Sequence, residues 1–296
     1  MVLAVDLGQS GSRIRTGDIS INTSRGKLAG ENPLTSLRSI FETVEKLSSD
    51  VVSLSCTGFN GIVPDPEPYA ALCNEFFGAT KTALLDDGLA GFIGALHGRN
   101  GVVLSIGGGV VSVGGRDGVF SHRDGLGSTF GDEGSGFWLG KLGITKALAA
   151  NQGRHGDLDM VTAFKSQIAV FNELESKNGT DAATLAISSA QTLLDAADNG
   201  VATAIDIRNE GAHLLAQTVI ATWLGTGGSR SDPLEIAIQG GPSANKNYVN
   251  TIQGSISIEL ANAKFVSAEG DNLNGAKWIA ENTLISAPPL LRWSHQ

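Results

Sequence analysis

A short strand, a glycine-rich turn and a returning strand occur twice in this chain. No other feature constrains its fold as much. Val2–Val5 is an apolar strand, Asp6-Leu-Gly-Gln-Ser-Gly-Ser12 a polar turn, and Arg13–Thr16 alternates as the return. Val102–Ile106, Gly107-Gly-Gly109 and Val110–Val113 repeat the device, and Asp117-Gly118 adds a hairpin turn. A chain that uses one device twice is read as two related halves.

Helical patterns fill the intervals. Leu34, Leu37, Ile40, Phe41, Val44 and Leu47 fall on one face at helical spacing. Phe137–Ala150, Leu158–Leu174, Asp181–Ala197 and Val201–Leu224 also read as helices. Further strands are expected at Val51–Ser55, Leu234–Ile238 and Ile256–Leu260. Strands interleaved with helices imply an α/β protein. The connector His97-Gly-Arg-Asn-Gly101 places the division between residues 1–98 and 99–296. A last helix near Gly275–Leu284 fits either half, and its packing back on the N-terminal half is one expectation.

The chain has 296 residues, 41% hydrophobic and 17% charged, the profile of a compact protein with room for two domains. Its net charge of −9 argues against nucleic acid or an anionic membrane as partner. The N-terminus lacks a basic leader and no apolar run is long enough to span a membrane, so a cytoplasmic location is expected. Cys56 and Cys73 are isolated in apolar surroundings and read as buried free thiols. The five histidines show no metal-ligand spacing. Glycine is abundant, 39 residues, and clusters at 107–118, 125–143 and 225–241, which concentrates special backbone geometry there.

The familiar nucleotide motifs GxxxxGK[ST] and GxGxxG are missing, as is a GxSxG elbow, so any phosphate site must be built differently. Three turns are candidates. Asp6–Ser12 offers backbone N–H groups and hydroxyls to phosphate oxygens, with a carboxylate at the strand end suited to hydrated Mg²⁺; it reads equally as an ordinary polar turn. Gly107–Gly109 carries the same two readings. Gly240-Gly-Pro-Ser243, after a strand and before a helix, suits a nucleoside or is a plain connecting turn. Asp86 and Asp87 precede a small-residue helix, Gly88–Leu96; capping explains one of them, and a base beside a substrate hydroxyl is the other possibility. Gly131-Asp-Glu-Gly-Ser-Gly136 places two acids ahead of an amphipathic run, where Asp132 is a helix cap or a ligand.

The order of these pieces resembles the acetate-and-sugar kinase, heat-shock and actin superfamily. Within it, the chain is similar to the BadF/BadG/BcrA/BcrD ATPase family and its N-acetylglucosamine kinase branch, over nearly its whole length. Gly131–Gly136 followed by Phe-Trp-Leu-Gly140 is the most specific signature, and Asp6–Ser12 stands where the family has DGGGTKT. Gly30-Glu-Asn-Pro33 matches a sugar-binding loop, and Asp87, with Gly94 seven residues on, matches the catalytic aspartate. The resemblance implies two actin-like (ribonuclease H-like) lobes with ATP and an amino sugar in the cleft between them. It implies Asp87 as general base, with Asn32, Gly131 and Asp132 also on the sugar. Gly8, Gln9, Ser10, Gly11 and Ser12 would line the phosphate turn, with Asp6 near Mg²⁺. Gly107, Gly108 and Gly109 would lie on the far side of the phosphates and Gly240 and Gly241 against the adenosine. A homodimer is a further expectation.

The chain departs from the family at Gly107-Gly-Gly-Val110, where GTGS is common, and at Asp124-Gly-Leu-Gly127, where GGWG is common. The first loses two hydroxyls. The second loses a tryptophan and adds a charge on the sugar side, which opens glucosamine beside N-acetylglucosamine as substrate. The expected activity is transfer of the γ-phosphate to a sugar hydroxyl, at carbon 6. The alternatives are an ATPase activator of a radical dehydratase, which needs cysteines around a shared cluster, and a non-catalytic sugar or nucleotide sensor.

Overall fold

The computed structural model describes residues 1–9, 11–28, 30–45, 47–154, 157–176 and 182–294. The first unit runs β1 (Val2–Leu7), β2 (Ser12–Thr16), β3 (Ile19–Thr23), α1 (Pro33–Phe41), β4 (Val51–Cys56), α2 (Glu67–Phe77), β5 (Lys81–Asp86) and α3 (Asp87–Leu96). Next come β6 (Gly101–Ile106), β7 (Val110–Arg116), β8 (Val119–Asp124) and the helices α4 (Gly136–Asn151), α5 (Leu158–Ala163), α6 (Lys165–Ser176), α7 (Ala182–Asp198) and α8 (Ala202–Gly225). The chain closes with β9 (Leu234–Gln239), α9 (Lys246–Glu259), β10 (Ala263–Val266), α10 (Asn272–Glu281) and β11 (Leu291–Trp293).

Two sheets result, ordered β11-β5-β4-β1-β2-β3 and β10-β9-β6-β7-β8. Read from the hairpin edge, both follow one plan: an antiparallel meander of three strands, then two strands parallel to the first. The repeated strand–turn–strand device is thus the start of each sheet. Strands β1 and β6 are buried along almost their whole length because both their faces are covered, which is why they read as continuous apolar runs. Asp117 and Gly118 both take positive φ, +50° and +83°, and turn β7 into β8 as a two-residue hairpin.

One core lies under α4, α7, α8 and α9 and includes the wholly buried Trp223 and Tyr248. A second holds Leu3, Leu54, Phe41 and Phe77 beneath α1 and α2. A third gathers Leu85, Leu89 and Phe92 with Val103 and Val113 of the other sheet and Ile279 of α10. Helix α3 therefore packs between the sheets, and whatever stands at its N-terminus stands where the two units meet. Helix α10 returns to α3 and β1. Gly94 and Gly275 permit this crossing, since a Cβ at either would strike the backbone of the opposite helix segment.

Two expectations are corrected. Ile256–Leu260 is the last turn of helix α9 with its C-cap Leu260, and not a strand: Ile252, Ile256 and Leu260 are buried at four-residue spacing, while Ile258 is 84% exposed. Leu158–Leu174 is two helices, broken at the wholly buried Phe164.

Candidate functional site

The first glycine turn is closed by the Gly8 N–H donating to the Gly11 carbonyl at 3.0 Å. The segment after β3 lies on it: the Lys27 N–H donates to the Gly8 carbonyl at 2.9 Å, and Gly26 is pressed against the backbone of Gln9. The Ser12 hydroxyl is buried and donates to the Arg25 carbonyl at 2.8 Å, so it braces the turn from within. Gly11 lies against the Thr23 carbonyl, 2.7 Å from where a Cβ would stand, which excludes a side chain there without movement of β3. Ser10 lies outside the described residues.

Asp6, the next-to-last residue of β1, has its carboxylate already engaged. Ser55 Oγ donates to Oδ1 at 3.1 Å, and Arg13 donates to Oδ2 through Nε at 3.2 Å and Nη2 at 2.6 Å. Arg13 also pairs with Asp271, which caps α10. Among the described residues no three His, Cys, Asp or Glu side chains are placed to hold a metal ion. The Asp6 carboxylate is thus occupied by Arg13 and Ser55, and a magnesium near it would be hydrated, with few direct protein ligands.

The two adjacent aspartates divide their work. Asp86, fully buried, caps α3: Oδ1 accepts from the Gly88 N–H at 2.9 Å and Oδ2 from the Gly61 N–H at 3.0 Å. Asp87 is the first helical residue and is half-buried, with its carboxyl on Thr57. Removal from water, then the charges of Asp86 and Asp6, push it up from 3.8 to about 7, against the pull of Thr57 and the Gly88 N–H. A carboxyl that ionises near neutrality beside a helix N-terminus is equipped to accept a proton.

Asp132 is buried and has φ +59°. Its Oδ1 accepts from the Val110 N–H at 2.9 Å, and its own N–H donates to Asp124 Oδ1 at 2.9 Å. Burial first, then the charge of Asp124, raise it above the ordinary carboxylate range, while the Val110 N–H lowers it. Asp132 does not cap α4. Ser135 does, its Oγ accepting from the Trp138 N–H at 3.1 Å, because Asp132 lies three residues earlier and turns back to the second glycine turn. Gly109 makes room for it: a Cβ there would stand 2.8 Å from the Asp132 carboxylate. The first amides of α4 are also spent, Gly136 on the Gly107 carbonyl at 2.9 Å and Phe137 on the Gly108 carbonyl at 3.1 Å.

Gly240 has φ +105° and rests on the backbone of Ile106, the residue before the second glycine turn. Gly241 is open on its Cβ side, and Pro242 lies beside Gly136. Gly107–Gly109, the start of α4 and Gly240–Pro242 thus form one glycine-lined surface on which a flat or anionic ligand can lie against backbone. Asn32 is exposed and caps α1, accepting from the Leu34 N–H at 3.0 Å; its amide NH₂ has no partner among the described residues. Gly131 packs against Asp124 and Leu126.

Several supporting residues carry no motif. The buried Tyr248 hydroxyl donates to the Gly134 carbonyl at 2.8 Å and so holds the Gly131–Gly136 loop from α9. Thr57, Arg13 and Asp124 each fix one expected residue, and His122 approaches Asp86. Only Asp124 had a sequence signal, as a departure from the family's glycine.

The family model of the BadF/BadG/BcrA/BcrD ATPase family matches residues 3–276. A search of curated proteins finds no match. Among solved structures, one from Chromobacterium violaceum described as a candidate N-acetylglucosamine kinase superposes with a TM-score of 0.68 at 19% identity, covering 94% of this chain and 98% of its own. A similarly described protein of Porphyromonas gingivalis gives 0.66 at 15%, covering 96% and 100%. The ROK hexokinase of Thermus thermophilus gives 0.56 at 15%, covering 96% and 99%. The two-sheet architecture is thus the actin-like fold of these structures, and the chain belongs to the BadF/BadG/BcrA/BcrD ATPase family.

Proposed function

We propose that the protein is an ATP-dependent sugar kinase whose acceptor is an amino sugar, N-acetylglucosamine or glucosamine, phosphorylated at carbon 6. The observation that carries this reading is Asp87. It stands at the N-terminus of the helix packed between the sheets, and its carboxyl is held near 7 by burial and by Asp86. The sugar hydroxyl gives its proton to Asp87 as its oxygen bonds the γ-phosphorus, and the bond from that phosphorus to the bridging oxygen breaks to release ADP. The nucleotide supplies the phosphoryl group, and a hydrated magnesium near Asp6 would offset the phosphate charge.

In this reading residues 1–98 and 99–296 form the two lobes, with α10 on the first. Gly8, Gln9, Gly11 and Gly107–Gly109 present backbone to the phosphates, and Gly240 and Gly241 take the adenosine. Asn32, through its open amide, and Asp132, through Oδ2, bind sugar hydroxyls. An amino sugar is favoured by the two structures described as candidate N-acetylglucosamine kinases and by Asp124 and Asp132, whose carboxylates suit an amide N–H or an ammonium. Cys56 and Cys73 are wholly buried, with thiol pKa values raised chiefly by burial, which closes them to a cluster shared between subunits.

The test is ADP release from ATP with glucosamine, N-acetylglucosamine, N-acetylmuramate and glucose in turn. Turnover that requires an amino sugar supports the proposal. Hydrolysis indifferent to sugar points to an activator, and neither activity to a sensor; both refute it.

A further inference from the structure

We infer that His122 is a positioning residue that locks the cap of the catalytic helix to the sugar-side strand, an inference that rests on the kinase reading above. His122 belongs to β8 of the second sheet, yet its ring lies against Gly61, which follows β4 of the first. A Cβ on Gly61 would stand 3.0 Å from the ring, and one on Gly125 would stand 3.3 Å from it. Both glycines have positive φ, +78° and +72°, so the backbone on either side is shaped to admit the imidazole.

Nε2 of His122 lies 3.6 Å from Oδ1 of Asp86. The two side chains are 11% and 2% exposed, so this is a contact inside the protein and not a screened surface pair. The remaining contacts of Asp86 are backbone amides of its own unit, from Gly61 and Gly88. His122 is thus the one titratable group that the second sheet brings to it among the described residues. Burial holds the imidazole below its ordinary pKa, and Arg123 lowers it too, while Asp86 and Asp124 oppose them. A neutral ring with its proton on Nε2 points the positive end of a dipole at the Asp86 carboxylate.

The consequence falls on the next residue. Asp86 is the largest charge acting against ionisation of Asp87; the other groups acting on Asp87 are the Thr57 hydroxyl after β4, Asp6 of β1, itself held by Arg13, and the Gly88 N–H. Balancing Asp86 from the second sheet therefore eases ionisation of the base. Two residues beyond His122, Asp124 grips the N–H of Asp132. One short stretch of β8 so connects the base's cap with the loop proposed to hold the sugar.

The pH dependence of kcat/KM for the sugar, compared in wild type, His122→Gln and His122→Ala, tests this. Without the ring, Asp86 acts on Asp87 unopposed, so the acid limb of His122→Ala moves to higher pH by about half a unit and kcat at pH 7 falls about twofold, with KM for ATP unchanged. Gln supplies a neutral N–H donor of similar reach, so His122→Gln returns the limb close to wild type. An unmoved limb in His122→Ala, or a His122→Gln displaced as far as His122→Ala, overturns the inference. If His122→Ala does not fold, His122→Leu fills the space without a donor and takes its place. If the wild type phosphorylates none of the sugars, the kinase reading fails separately. The inference is then judged by ¹³C NMR titration of the aspartate side chains, with Asp87→Asn assigning the resonance: an upward move of Asp87 on loss of the ring supports it, and no move refutes it.

Discussion

Replacing Asp87 by Asn should destroy activity and stabilise the fold, and the two effects have one origin. The carboxyl ordinarily titrates at 3.8 and in this structure at about 7. At 1.36 kcal/mol per pH unit, that displacement is an upper limit of about 4 kcal/mol carried by the folded state once the group is ionised. The sign is fixed by proton binding. Below pH 4 the carboxyl is protonated in both states and contributes no difference. Between 4 and 7 the unfolded chain has lost the proton while the folded chain retains it, so stability falls as pH rises. Above 7 the whole cost is in place. Asn has no such proton, so its melting temperature should match wild type near pH 4 and exceed it at pH 8. Because Asp87 is half-buried, about 2 kcal/mol is the realistic gain, or roughly 3 °C for a chain of this length. Thermal melts of both proteins from pH 4 to pH 8 measure it. Loss of the base should lower kcat by about 10²–10⁴, with sugar affinity held within about tenfold, roughly 1.4 kcal/mol. A stability gap that is absent at pH 8, or equally large at pH 4, refutes the environment assigned to Asp87. Full activity in the variant removes Asp87 as the base.

Other perturbations read separate parts of the site. Wild-type kcat/KM should fall about tenfold for each pH unit below 7 as Asp87 takes up its proton, and a flat profile from pH 5 to pH 8 would contradict this. Asp124→Ala removes the acceptor of the Asp132 N–H from a residue at φ +62°, and kcat/KM for the sugar should drop roughly 5- to 30-fold, about 1–2 kcal/mol. Asp124→Asn keeps an acceptor, tolerates that backbone and should stay within about threefold in the same assay. Tyr248→Phe strands the buried Gly134 carbonyl and should cost about 1–2 kcal/mol in denaturant unfolding, with sugar KM raised more than ATP KM. Gly240→Ala drives a Cβ into the Ile106 backbone at a positive φ, so ATP affinity measured by calorimetry should fall at least tenfold or the protein should fail to fold.

Much of this architecture was written locally. Val2–Thr16 and Val102–Val113 show their alternation and turns without help from the rest of the chain, and their similarity reads as two related halves. The helix from Ile252 to Leu260 was misread because Ile256, Ile258 and Leu260 alternate as a strand does; burial at four-residue spacing separates the two patterns, and only packing against α8 shows it. The site divides in the same way. Asp87 and Asp132 were legible because each sits in a local signature of acids and glycines. Their partners were not: Thr57, Arg13 and Tyr248 come from strands and helices far away in sequence and carry no spacing rule.

By itself, then, the sequence determined the strand–turn–strand units, the α/β class and the acidic positions at which chemistry is possible. Tertiary structure alone decided which acid does what. Asp86 became the cap and Asp87 the residue free to titrate near 7, Asp132 turned from helix cap to brace of the second glycine turn, and Asp6 was given to Arg13. The physical reason is that a carboxylate's role depends on the donors and charges around it and on how far it is removed from water. Folding brings those together from β1, β2, β4, α3 and β8, and no local pattern records it.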